Sequence, residues 1–267
     1  MELSVIRIHK ASAPGGQPWL NARPVVHPDK YLSQCPFVLL NEETYEPHGE
    51  FAVHSRKGVV SVTLVLDGSA QQTDATGARW QLARGDADFS IGSGGVLQGT
   101  ANESGVQLLR LWINLPHTLS GAGARHQVVR RAEARRANFG DASALLYAGS
   151  LGAASGPHTC PWPLTVADLS LQAGQTMKLP LASNERSFVY VVRGNVELGR
   201  NRVHLGRDSI AWIERRVGVG PEFELGPESI NSLSARAAKE TQLMFFSSPV
   251  FGEVSPAETV TTHEAST

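Results

Sequence analysis

Val62-Thr63-Leu64-Val65-Leu66-Asp67-Gly68 is answered about 126 positions later (188 against 62) by Phe188-Val189-Tyr190-Val191-Val192-Arg193-Gly194. Each heptapeptide is an apolar, β-branched run closed by a glycine, the pattern of a strand entering a tight turn. A second turn follows each copy: Gly77 through Gly85-Asp86 in the first, Gly199 through Gly206-Arg207-Asp208 in the second. Both turns lead into another apolar stretch, residues 89–91 and 210–213. A repeat on this scale implies two similar β-domains with a join near residues 132–140.

The rest of the chain reads the same way. Short runs at residues 37–40, 59–66, 107–115, 164–171, 188–192 and 241–246 are bounded by Gly, Pro, Asn or Asp, as strands are. With 26 Gly and 15 Pro the composition favours turns, and the expected class is all-β with short helices. Residues 130–136 and 229–239 are the helix candidates, and residues 254–267 are expected to form a fraying tail. The expected domains are residues 1–135 and 136–253.

Lys and Arg number 24 against 25 Asp and Glu, so the chain has no bulk charge to hold nucleic acid or an anionic membrane. Direct nucleic-acid binding is not expected. No apolar run approaches the roughly 18 residues of a membrane span, and residues 1–16 hold no uninterrupted apolar core of a signal peptide. A cytoplasmic protein is expected. Cys35 and Cys160 sit in no metal or redox spacing and read as reduced, partly buried thiols. Arg130, Arg131, Arg135 and Arg136 crowd the join, read as a solvated linker face with an acidic partner as the functional alternative.

Leu40-Asn41-Glu42-Glu43, His54-Ser55-Arg56-Lys57-Gly58, the run from Val62 to Gly68, Arg84-Gly85-Asp86 and Leu111-Trp112-Ile113-Asn114-Leu115-Pro116 resemble, in order and spacing, the pirin family of two-domain cupins. Ser248-Pro249-Val250-Phe251-Gly252-Glu253 is similar to that family's closing segment, so the resemblance runs over about residues 20–253. It implies a bicupin. It also implies one iron in the first barrel, held by a His-x-His pair and a His-x-Glu pair on two strands. Residues i and i+2 share a strand face, so both members of a pair look the same way. Carried over without gaps, the four positions are His54, Arg56, Gln98 and Thr100. One imidazole survives.

Metal affinity needs several deprotonated ligands in a fixed geometry, and Arg56 would put a permanent cation where the ion should be. No metal is therefore expected in the first barrel. Arg84-Gly85-Asp86 reads as a tight turn, Gly92-Ser93-Gly94-Gly95 lacks the Lys-Ser/Thr of a phosphate loop, and His48 reads as a surface histidine. His117, His126 and His158 sit in loop-like surroundings with no assignable nucleophile. Three functions compete. In the first, His54, Arg56, Gln98 and Thr100 line a metal-free site for an unidentified small molecule or anion, with Arg56 paired by a ligand or by a carboxylate such as Glu50. In the second, the resemblance implies an iron-dependent quercetin 2,3-dioxygenase. The third is a protein-interaction scaffold or transcriptional co-regulator with protein partners.

Overall fold

The computed structural model describes residues 3–54, 58–74, 77–91, 97–119, 125–181, 185–213 and 231–250. The first half supplies β1 (Val5–Lys10), β2 (Leu20–Val26), β3 (Phe37–Tyr45), β4 (Glu50–His54), β5 (Val59–Thr73), β6 (Arg79–Ala83), β7 (Ala87–Ile91), β8 (Leu97–Asn114) and β9 (Arg125–Val129). The second half supplies β10 (Arg135–Phe139), β11 (Ala142–Ala148), β12 (Ser150–Leu151), β13 (Ala154–Ser155), β14 (Thr165–Leu171), β15 (Thr176–Leu181) and β16 (Glu185–Arg193). It ends with β17 (Asn195–Leu198), β18 (Val203–Gly206), β19 (Ser209–Ile213), β20 (Asn231–Ala237) and β21 (Thr241–Pro249).

The first barrel is one curved sheet in the order β2-β3-β8-β5-β7-β9, with β4 added on β8 and β6 on β5. The long strands β5 and β8 pair along nearly their whole length, with register shifts between Val65 and Asp67 and between Gly68 and Ala70. Such irregularities bend a strand, and here they let one pair serve both walls of the barrel. Gly68 takes a φ of 75° at the bend, where a Cβ would collide with the Gly105 carbonyl. Its repeat partner Gly194 has a φ of 94° at the equivalent point after β16. The second barrel packs the sheet β1-β19-β16-β21-β14-β11-β10 against the smaller sheet β15-β20-β17-β18.

Strand alternation sorts the apolar residues into separate cores. Leu169, Leu179, Val191, Leu233 and Phe245 fill the second barrel. Tyr45, Val65, Leu82, Ala101 and Leu108 fill one end of the first. A third core lies between the barrels: Phe37, Val62, Phe89 and Leu111 meet Tyr147, Phe188, Trp212 and Phe246. Across it the Tyr190 hydroxyl donates to the Glu42 carboxylate.

The six strand runs read from sequence all fall within strands or within one residue of their ends. The helix expectations do not hold. Residues 131–133 form a turn leading into β10, residues 231–237 form β20 and residues 238–239 a bend after it; residues 229–230 lie outside the described residues. Leu233, Ala235 and Ala237 alternate with Ser234 and Arg236, so burying one face of β20 outweighs the helix propensity of Ala and Arg. Among the described residues the only helical pieces are 3-10 turns at Pro28–Ser33 and His117–Leu119. β1 pairs with β19, so residues 5–10 lie in the second barrel's sheet. Cys35 is buried and Cys160 half-buried, both as free thiols.

Candidate ligand site in the first barrel

β8 runs between β4 and β5 at the positions singled out in the sequence. His54 pairs with Leu97, Gln98 with Thr73, and Thr100 with both Glu50 and Gln71. Thr100 is exposed, as are its partners Glu50 and Gln71, so this face of β8 is turned to solvent. The buried face carries Ala101 and Gln72 instead, one residue out of phase. His54 and Gln98 are placed by backbone pairing, while Arg56 and residues 92–95 lie outside the described residues. His48 is exposed at a turn with a φ of 60°.

Further along the same strands, two polar rows cross the inner face. In the first, Asn41, Arg110, Thr63 and Asp88 stand in register across β3, β8, β5 and β7. In the second, Trp112, Ser61, Ser90 and His126 do the same across β8, β5, β7 and β9. Their chain neighbours Leu40, Leu111, Val62 and Phe89 face the other barrel. One alternation thus makes an apolar interface outside and a polar lining inside.

Arg110 is 3% exposed and pairs through Nε with Glu43 Oε2 at 3.1 Å; Tyr45 donates to the same oxygen at 2.9 Å. The Glu43 charge holds the Arg110 pKa up against burial. Removing one partner of such a pair costs about 3–5 kcal/mol, because the other charge stays buried. Asp88 is 1% exposed; it accepts from Ser90 Oγ at 3.2 Å and lies 3.5 Å from His126 Nδ1. Hydrogen bonding and charge from Asp88 raise the His126 pKa. The His126 ring stacks on Trp80 with centroids 4.0 Å apart.

Asn41 Oδ1, Gln72 Oε1 and Trp80 Nε1 are buried without a hydrogen-bond partner, and Asp88 Oδ1 has only the long approach of His126 Nδ1. They belong to strands of this one barrel. Buried polar atoms in native proteins nearly always have a partner, so several orphans in one interior leave hydrogen-bonding capacity for a bound molecule or water.

None of Glu43, Asp88, Ser90, Arg110 and His126 stood out in the sequence as a site residue. The signal was there: Arg110 sits inside Leu108-Leu109-Arg110-Leu111-Trp112, and Asp88 and Ser90 alternate with Ala87, Phe89 and Ile91. A charge inside an apolar strand implies an inward partner.

Two antiparallel barrels sharing an apolar interface define a bicupin. A quercetin 2,3-dioxygenase from Acinetobacter baumannii superposes with a TM-score of 0.79 at 19% identity, over 96% of this chain and 91% of that one. No family model matches the chain. In sequence it is similar to the pirin family. Pirin-1 of Arabidopsis thaliana is 26% identical over 161 residues, covering 60% of this chain and 56% of that protein. A Pseudomonas aeruginosa protein provisionally named a quercetin 2,3-dioxygenase is 28% identical over 155 residues, covering 55% of this chain and 54% of its own length. The chain therefore spans a little over half the length of these curated relatives.

The iron that the pirin resemblance implies does not fit these residues. Of its four positions only His54 offers an imidazole, Arg56 brings a permanent positive charge, and Thr100 is a neutral hydroxyl on an exposed face.

Proposed function

We propose that this chain is a pirin-like bicupin whose first barrel takes up a small polar or anionic organic molecule without a metal. The observation that carries the reading is the set of orphaned polar atoms on Asn41, Gln72 and Trp80. Pockets for small molecules pair apolar walls with a few placed polar groups, and Trp80, Trp112 and Leu108 supply such walls beside these. The donor set supports the metal-free part, and for the same reason the dioxygenase name of the relatives is not carried over. No observation favours the scaffold reading.

Protein purified without a metal-affinity tag should hold far less than one equivalent of iron, nickel or copper, and should cause no oxygen-dependent loss of quercetin absorbance. Native mass spectrometry of the same sample should find a small organic adduct that Asp88→Asn or Arg56→Gln releases. One equivalent of metal, or quercetin turnover that chelators abolish, would overturn the metal-free reading. An adduct held equally by both variants would remove the barrel as its site.

A further inference from the structure

A crevice of about 310 Å³ lies where the two barrels meet, away from the interior of the first. Its walls come from distant parts of the chain: Arg84 from the turn after β6, Arg131 and Arg136 from the join, Arg193 from the end of β16, Asp168 from β14 and Gln242 from β21. Tyr147 donates to the Gly85 carbonyl at 2.8 Å and ties the two sides together.

Four arginines therefore line one small concavity, and the charges of Arg131, Arg193 and Arg84 act on Asp168 within it. Arg131 and Arg136 make no side-chain ion pair among the described residues, and both are exposed. Arg84 reaches Asp67 only at 3.9 Å, with both groups mostly in water, and Arg193 meets Glu240 at 3.0 Å in a half-exposed pair. Pairs of that kind contribute little, so an incoming anion can displace them. Four like charges converge at a cost in repulsion, which suits them to a function rather than to stability.

Asp168 supplies the second, independent observation. Its Oδ2 accepts from Gln242 Nε2 at 2.8 Å, while its Oδ1 is buried with no hydrogen-bond partner. Burial pushes its pKa up, and the arginines nearby only partly oppose this. A carboxyl among arginines, with one oxygen free, can accept from a donor on a ligand whose anionic groups face the guanidiniums. The volume sits at the small end of ligand pockets, matching a compact molecule and excluding a folded partner.

We propose that this crevice binds a small hydroxylated anion bearing at least two negative charges, with Arg84, Arg131, Arg136 and Arg193 holding the charges and Asp168 receiving the hydroxyl. Phosphate esters and polycarboxylates share this chemistry, and the test separates them. Titration calorimetry at pH 7 and fixed ionic strength would compare inorganic phosphate, citrate and tricarballylate, which is citrate without its hydroxyl. Binding should weaken with added chloride. Arg131→Gln/Arg136→Gln should lose at least tenfold in affinity, while Arg200→Gln/Arg202→Gln, the same charge change at residues that do not line the crevice, should lose none. Citrate binding severalfold tighter than tricarballylate, with Asp168→Asn narrowing that gap, would support the polycarboxylate source; phosphate binding tighter than both would support the phosphate source. Absence of binding by all three probes at millimolar concentration would overturn the proposal. So would equal affinity in wild type and in an Arg131→Gln/Arg136→Gln protein with an unchanged thermal midpoint.

Discussion

His158 shows how a single side chain can tie stability to pH. It is 5% exposed, its Nδ1 lies 2.8 Å from Gln127 Oε1, and its ring stacks on Phe89 at 4.0 Å. A carbonyl oxygen opposite Nδ1 puts the proton there and leaves Nε2 as a lone pair, buried with no partner. Charging the ring would bury a second N–H with no acceptor, and burial accordingly pushes the pKa down to about 4. Because the folded value lies below the unfolded one, the unfolded chain binds the extra proton first. This contribution to stability is complete above about pH 6.5 and is lost as the pH falls toward 4, amounting to roughly 1–3 kcal/mol. Urea midpoints measured across that window should fall less steeply in His158→Gln than in wild type, and parallel slopes would refute the assignment. None of this was legible in the sequence, where His158 stood between Pro157 and Thr159 as a loop histidine. Its burial depends on Phe89 and Gln127, which lie far away in the chain. The residue types at the four positions that the pirin resemblance implies as metal ligands, by contrast, are open to direct reading, because a motif is local.

At the scale of the element, strands announced themselves wherever one face was continuously apolar. β20 did not, because its serines and alanines carry little hydrophobic contrast, and only its partners β15 and β17 fix it as a strand. The Arg84-Gly85-Asp86 turn was read correctly, with a φ of 84° at Gly85, but its larger task was hidden. Asp86 is 6% exposed and receives the backbone N–H of Ala83 at 3.1 Å, that of Arg131 at 2.9 Å, and Arg130 Nη1 at 2.7 Å. One carboxylate closes the turn after β6 and clamps the join onto the first barrel. Asp86→Ala should destabilise the protein by about 1–3 kcal/mol, since it removes the acceptor of two partly buried backbone N–H groups and of an arginine. Trypsin should then cut first at Arg130 or Arg131 under native conditions. An unchanged urea midpoint with the join still protected would show that Asp86 is dispensable.

The repeat foretold two barrels but not how closely they are joined, because a repeat records what each copy buries within itself and says nothing about the face between them. That face is apolar on both sides. Phe188 of the second half is fully buried, meets Phe37 of the first half edge-on at 4.9 Å, and packs on Trp212 and Phe246 at 4.8 and 4.9 Å. The chain also crosses over, since β1 leaves the first half to pair with β19. Arg7 on that strand lies 4.7 Å over the Trp212 ring. If either barrel unfolded alone, it would expose this shared core on the one left standing and strip β19 of its edge partner. The two halves should therefore melt in one calorimetric transition, although chains of this length commonly show intermediates. Phe188→Ala should cost about 3–5 kcal/mol through lost burial and the cavity left behind. The loss should appear equally at probes in both barrels, such as the fluorescence of Trp80 in the first and hydrogen exchange at Leu243 in the second. Two resolved transitions in the wild type, or a loss confined to the second barrel, would show that the barrels are independent and that the interface core only fills space between them.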